Sequence, residues 1–423
     1  MQMIPKTTLR LLLLVVILAV QAIGLSTEAR TTEQTSLFER MSVHVEERQH
    51  DLIELRHDIH RHPELSGAEA RTAGLVASRL AALGFDVRSG IGGHGIIGVL
   101  EGSRPGPMVA FRADMDAVRS TDEDPVEYRS MTPGVRHICG HDIHTTIGIG
   151  LAEGFSAIQE DLAGSVMLIF QPAEERGTGA KAMLDDGAFD TVQPDAIFAV
   201  HTAPYNVGEI ATVTGGMMAG RASVSVTIRG TGDLAEAASA VRAAIQSVGT
   251  LSPQLSGQTA PKGFIMVQLF GGAAGAPSGN ETVVRGQIMT AGPEDRASAK
   301  AAVMAALESL NLPEITLSTE YDERFMEGVT NDSALVDLAN EGIRARYPEI
   351  NIRTVGGAVP TFSEDFGSFQ ALVPGVMYFL GVSNPEAGTV GMPHSPDYVA
   401  DDASILVGTR AMMAAMLERL MAE

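Results

Sequence analysis

Three apolar runs in this chain end on carboxylates or on an imidazole, and that repetition constrains the fold more than any other feature. Met108–Arg112 runs into Ala113-Asp114-Met115-Asp116, Val166–Phe170 into Gln171-Pro172-Ala173-Glu174-Glu175, and Ala196–Val200 into His201. Short apolar runs bounded by Gly or Pro suit strands buried on both faces. In α/β sheets, ligands bind just outside the carboxyl ends of the strands. A chain built this way gathers its polar endings at one edge of a sheet.

A fourth polar group joins them. His137-Ile138-Cys139-Gly140-His141-Asp142-Ile143-His144 holds the only cysteine of 423 residues and three of the eleven histidines. Cys139 and His141 lie two apart, so on an extended strand end both side chains point the same way. A thiolate beside an imidazole suits zinc, manganese or cobalt. An isolated C-x-H reads as readily as a buried cysteine beside surface histidines; the carboxylates and imidazole at the other strand ends tip it toward metal.

The beginning of the chain reads as an address. Lys6 and Arg10 precede Leu11–Ala22, an uncharged run too short to span a bilayer comfortably and suited to a secretory leader over residues 1–24. Val20-Gln21-Ala22 or Ala22-Ile23-Gly24 offers a cleavage site, and an uncleaved anchor is the competing reading. The expected product is exported, periplasmic or extracellular, and long enough for two domains. With one cysteine it has no internal disulfide. The net charge of -22 argues against nucleic acid or an anionic membrane surface as partner.

Periodicity predicts helices over Ser36–Arg61, stopped by Pro63, over Ala68–Leu83, closed by Gly84, and over Thr145–Asp161. Strands are expected at Phe85–Val87, Ile96–Leu100, Met108–Arg112, Ser165–Gln171 and Ala196–His201. Alternating strands and helices give an α/β fold, a helix-sandwiched mixed sheet. From about Ala211 the texture changes. Ala222–Arg229, Leu234–Val248, Phe264–Phe270, Glu281–Met289, Pro293–Leu310 and Glu314–Tyr321 read as β-α-β-β-α-β, the pattern of a ferredoxin-like α+β lid. Ser333–Tyr347, Val373–Leu380 and Ala403–Leu420 then resume helix, strand and helix. The catalytic domain is therefore expected in two parts, 36–211 and 328–423, around an inserted lid at 212–327.

The polar motifs carry a resemblance. Arg61-His62-Pro63-Glu64-Leu65, Arg112-Ala113-Asp114-Met115-Asp116-Ala117, Cys139-Gly140-His141-Asp142-Ile143-His144-Thr145, Gln171-Pro172-Ala173-Glu174-Glu175, Ser363-Glu364-Asp365-Phe366 and Pro393-His394-Ser395-Pro396 stand along the chain. Together they resemble the di-metal peptidases that include aminoacylases and glutamate carboxypeptidases, within them the amidohydrolase branch of hippurate and auxin-conjugate hydrolases. The resemblance implies two divalent ions, manganese, zinc or cobalt, on Cys139, His141, Glu175, His201 and His394. It implies Glu174 as general base, drawing a proton from metal-activated water that attacks an amide carbonyl. Asp116 suits either the orientation of a ligand imidazole or the capping of a turn. His144 either supports the site or faces the helix start. Glu364 and Asp365 either line the site or open a helix, and His44, His50, His57, His60, His62 and His94 are expected to be structural or superficial.

The lid departs from the family pattern. Where the resemblance implies Gly-Gly-His-Ala, with a histidine that steadies the oxyanion, the chain reads Gly230-Thr231-Gly232-Asp233-Leu234-Ala235, with Leu234 at the histidine position. The family's Asn-Val-Ile-Pro segment is missing after Asn280-Glu281, and Gly-Thr-x-Arg becomes Gly286-Gln287-Ile288-Met289. Losing one oxyanion donor costs about 10²–10³ in rate, and Arg221, Arg229 and Arg285 are the cations able to stand in. A homodimer through the lid is implied by the resemblance and loosened by the shortened lid. The expected activity is metal-dependent hydrolysis of an N-acyl amino acid or similar small amide. The competing reading is a weak relative that binds an amide or peptide through its metals without turning it over.

Overall fold

The computed structural model describes residues 36–251, 263–270 and 279–422. The expected leader lies outside the described residues. Eight strands form one mixed sheet in the order Asp86–Ile91, Gly95–Glu101, Ala163–Gln171, Arg104–Asp114, Ala196–Asn206, Gly375–Ser383, Glu209–Thr212 and Asn351–Thr354. The four central strands, Ala163–Gln171 through Gly375–Ser383, run parallel to one another.

Alternation along those strands feeds two cores. Val166, Leu168 and Phe170 point into one, with Val109, Phe111, Val376 and Tyr378. Met167 and Ile169 point into the other, with Ala110, Met377 and Phe379. Helices Gln49–Arg61, His141–Ser156 and Ala403–Met421 cover the first face through Leu52, Ile59, Ile147, Leu151, Met412 and Met416. Short helices Gly179–Asp185 and Gly367–Gln370 cover the second through Met183 and Phe369. Each such side chain contributes about 1.5–3 kcal/mol by leaving water. With both faces dry, the carboxyl ends of the parallel strands are left as the place for polar chemistry.

Several boundaries differ from the periodicity. The single helix expected over Ser36–Arg61 is two, residues 36–47 and Gln49–Arg61, with the Arg48 N–H shared between the carbonyls of His44 and Val45. The helix expected from Thr145 starts four residues earlier and spans His141–Ser156, followed by a separate turn at Gln159–Asp161. Glu209–Thr212 and Asn351–Thr354 were not expected as strands; at four residues each they are too short to show a period.

Strands Gly220–Gly230, Ile265–Leu269, Glu281–Thr290 and Ile315–Met326 form a second, antiparallel sheet, with helices Leu234–Ser247 and Pro293–Glu308. Its ladder order places Gly220–Gly230 between Glu281–Thr290 and Ile315–Met326, with Ile265–Leu269 at the edge, as a β-α-β-β-α-β unit requires. It has its own core, including Val224, Val226, Val241, Ile245 and Val303. The chain enters and leaves side by side, Gly215–Gly216 pairing with Thr330–Asn331. No helix among the described residues is long and apolar enough to cross a membrane.

Candidate metal centre and active site

Cys139 and His141 do converge, but through a turn and not through an extended strand end. Gly140 between them has φ 88, and a Cβ there would meet Tyr398 Oη at 2.4 Å and Thr202 Cγ2 at 2.5 Å. Only glycine takes that backbone and that space, so the chain enters the helix at once with His141 as its first residue. Glu174 and Glu175 sit in a single turn just past the Ala163–Gln171 strand, entered through Ala173 at φ 53. His201 is on the Ala196–Asn206 strand, its Nε2 3.6 Å from Cys139 Sγ. His394, at φ 62, donates its backbone N–H to Ile138 O at 2.7 Å, and its Nε2 lies 3.3 Å from Glu175 Oε1. Left-handed backbone at Ala173 and His394 is the kind of strain that collects at functional sites.

Two donor groups result, Cys139–His141–His201 and Cys139–Glu175–His394, each gathered within 4.8 Å and sharing the sulfur. Three other acidic or imidazole groupings lie as close, but in each of them Asp114, Asp116, His144 or Glu364 is already engaged by other partners. His144 uses both nitrogens, Nδ1 donating to Asp114 Oδ1 at 2.6 Å and Nε2 accepting from Thr202 N at 2.9 Å. It therefore ties two strands together and supports the site. Arg112 claims Asp114 and Glu364, while Ser66 and two backbone N–H groups claim Asp116. By contrast His141 Nε2 and Glu175 Oε1 are buried and make no hydrogen bond. An unpaired buried polar atom costs about 1–3 kcal/mol, so both atoms fit a cation between them. The nitrogens behind them are set for it. His141 Nδ1 donates to Asp116 O at 2.8 Å and His201 Nδ1 to Thr202 O at 2.8 Å, which leaves each Nε2 lone pair facing the donors.

Charge supports the same fit. Burial, reinforced by His144, holds His201 down to about 3, the neutral form a ligand needs. Burial would lower His141 too, but Asp114 and Asp116 outweigh it and push it up to about 10. Burial and then Glu175 and Glu174 raise the Cys139 thiol well above its ordinary value. Burial, then Glu364, Glu175, Asp365 and Asp114, raises Glu174 well above the usual carboxylate range. A thiol whose proton affinity is raised by burial and neighbouring carboxylates is suited to exchange that proton for a divalent cation.

Asp116 answers both of its sequence readings. Its carboxylate accepts from Glu174 N at 3.2 Å, Glu175 N at 3.0 Å and Ser66 Oγ at 2.6 Å, capping the Glu174–Glu175 turn. Its own backbone carbonyl, closer than its carboxylate, orients His141. Glu364 and Asp365 do not line the cavity. They receive the buried Arg112 guanidinium at 2.7 and 3.2 Å, while Arg112 Nε donates to Gln171 Oε1 at 2.7 Å. Burial, then Glu364, pushes Asp365 up to about 8 against the pull of Arg112. Just before Gly367–Gln370, Glu364 Oε1 accepts from Phe366 N at 3.0 Å and the backbone carbonyl of Asp365 accepts from Ser368 N at 2.9 Å. The supporting roles of Arg112 and Gln171 were missed in the sequence; the available signal was a charged residue inside an apolar strand.

Cys139, Glu174, Glu175, His201 and His394 line a cavity of about 410 Å³, whose lining also includes Met218, Arg221, Met326 and Phe362. The lid departures are structural. Leu234 is buried in the lid core and does not reach the site. Met289 is buried as well and pairs across the ladder with Arg221. Of the three stand-in cations, Arg229 is exposed against Glu281, Arg285 is exposed, and Arg221 lines the cavity. His44, His50, His57, His60, His62 and His94 join none of the donor groups.

The pattern of peptidase family M20/M25/M40 matches residues 110–418. The chain belongs to this family. It is accordingly a metal-dependent amide hydrolase. A probable hydrolase of Synechocystis is 32% identical over 370 residues, covering 84% of this chain and 92% of the relative. An IAA-amino acid hydrolase ILR1-like protein of Arabidopsis thaliana is 31% identical over 382 residues, 87% of this chain and 80% of that one. Among solved structures, a Bacillus subtilis dinuclear metal binding peptidase of the M20 family superposes with TM-score 0.73 at 25% identity, covering 89% of this chain and 99% of that one.

Proposed function

We propose that this chain is an exported amidohydrolase that cleaves the amide bond of an N-acyl amino acid or a similar small amide. Cys139, His141, Glu175, His201 and His394 would hold two divalent ions, manganese, zinc or cobalt, and Glu174 is the general base. One observation carries the reading. The Glu174 carboxylate lines the cavity, makes no hydrogen bond among the described residues, and lies 3.8 Å from His141 Nε2 at the edge of the donor groups. The Arabidopsis relative named for an amino-acid conjugate supports the substrate class.

Divalent ions at these donors supply electrophilic polarisation of a carbonyl and acidify water. The chain's own residues do the rest. Asp116 holds the turn that aims Glu174. Glu174, its proton affinity raised by burial and neighbouring acids, takes the proton of the attacking water. It then returns that proton to the amide nitrogen as the C–N bond breaks.

The test is hydrolysis over an N-acyl-amino-acid panel by metal-loaded protein, with Glu174→Gln as control. Turnover that needs both metal and Glu174 supports the proposal. Tight binding without turnover would instead establish the weak relative, whose motive is the buried Leu234 and Met289. Export rests on Lys6, Arg10 and Leu11–Ala22; a product recovered only inside the cell with its first residues intact would remove it. The assembly proposed is a homodimer joined through the lid, and a monomeric mass by light scattering would count against it.

A further inference from the structure

The lining of the cavity carries one permanent cation. Among its described lining residues Arg221 is the only arginine or lysine. It is half-buried at the start of the first lid strand, directly across the ladder from Met326, which shares the wall. Its Nε donates to Ser363 Oγ at 2.5 Å. Ser363 precedes Glu364, which is rooted on the buried Arg112, so Arg221 is fastened to the catalytic half although it belongs to the lid. Its Nη2 reaches only Thr361 O, at 3.5 Å.

No carboxylate pairs with Arg221 among the described residues. Arg112, Arg229 and Arg296 each have one, Glu364, Glu281 and Glu327 respectively. Burial lowers the proton affinity of Arg221, and the charge of Glu174 across the cavity offsets it only in part. A desolvated guanidinium without a counter-ion is costly, and its planar edge matches a carboxylate through two parallel bonds. With Nε taken, the remaining edge is free for a two-oxygen acceptor. Met218, Met326 and Phe362 beside it offer an apolar wall.

We propose that Arg221 binds the carboxylate of the substrate and makes the enzyme selective for amides that carry one next to an apolar side chain. The proposal rests on the amidohydrolase reading above and names the group that chooses its substrate. Arg221 is thus a substrate-binding residue, distinct from the proton-transfer role of Glu174.

The test compares Arg221→Met and Arg221→Lys with wild type, on an N-acyl amino acid with an apolar side chain and on its carboxamide. Steady-state kinetics read kcat and KM separately. Calorimetric titration of both compounds into metal-loaded Glu174→Gln protein, with and without Arg221→Met, reads binding without turnover. The expected result is a preference for the carboxylate that falls roughly 100-fold in Arg221→Met, mostly through KM. Arg221→Lys, which keeps the charge and loses the fork, falls in between. Equal losses on carboxylate and carboxamide, whether in kcat as for an oxyanion donor or through unfolding of both variants, overturn the proposal, as does no change on either. If wild type turns over neither compound the amidohydrolase reading fails, and the calorimetric preference alone decides for or against Arg221.

Discussion

Asp116→Asn isolates the carboxylate from the backbone carbonyl that the same residue lends to His141. The native carboxylate takes three donors: Glu174 N on Oδ1, and Glu175 N with Ser66 Oγ on Oδ2. Burial opposes its charge, but His141 and Ser66 hold it below the usual carboxylate range, so these are charge-assisted bonds. An asparagine must turn its NH2 toward one side. The cheaper orientation keeps both partners of Oδ2 and sets NH2 against the Glu174 N–H. One charge-assisted bond is then lost, about 1.5–3 kcal/mol, and Glu174, the proposed base, is the residue released. We expect kcat to fall about 10–100-fold with a comparable loss of metal affinity, while Ser66→Ala, which removes one donor and leaves the turn capped, costs about 1 kcal/mol or less. The assay is kcat and KM at saturating metal, with metal content measured across a chelator series. A variant with wild-type kcat and metal affinity would show that only the backbone carbonyl of Asp116 matters, and the capping argument would be wrong.

Three further outcomes follow from the same geometry. Gly140→Ala adds about 1–2 kcal/mol of left-handed strain and drives its Cβ to 2.4 Å from Tyr398 Oη; a thermal melt and metal content both unchanged would contradict the tight turn. Arg112→Met leaves Asp114, Glu364 and Asp365 buried without their cation, and denaturant unfolding should show a loss of about 3–5 kcal/mol that shrinks as pH falls and the stranded acids take protons. His137 is buried with neither ring nitrogen hydrogen-bonded, and burial holds it down to about 4. Between its ordinary value and about 4 the unfolded chain binds a proton that the native chain does not, so native stability falls as pH drops through that window. At pH 5 this amounts to about 2 kcal/mol, and His137→Phe should abolish it; an identical pH slope in wild type and variant would refute the reasoning.

How far the sequence reached follows from what each feature depends on. The parallel strands and their polar endings were legible because a strand buried on both faces must be apolar from end to end, which leaves Asp114, Glu174 and His201 conspicuous where it stops. The lid was legible as a β-α-β-β-α-β order because its strands have one dry face and alternate. What was not legible is partnership. Asp116 as a cap, His144 as a tie between strands, and Glu364 with Asp365 as anions for Arg112 are choices among chemically equal alternatives, made only when distant segments meet. Arg221, Arg229 and Arg285 were equivalent on paper; ladder position and a hydroxyl from Ser363 separate them.

The arrangement also divides the work of the site between two halves. Every candidate donor, Cys139, His141, Glu175, His201 and His394, and the proposed base Glu174, belongs to the catalytic half. They lie on or just beyond the ends of the parallel strands and on the helix start at His141, and the Arg112 layer binds two strand ends and the loop holding Glu364 into one charged block. Preorganised groups of that kind tolerate little displacement. The lid sheet brings Arg221 and Met326 to the cavity and keeps Leu234 and Met289 in its cores. Substitutions in the lid therefore act on what is held against the donors and how tightly, and leave the donors where they are. On this reading the missing lid histidine weakens stabilisation of charge on the substrate without dismantling proton transfer. An arginine fastened through Ser363 to the catalytic half is then the lid residue best placed to keep selection working after that loss.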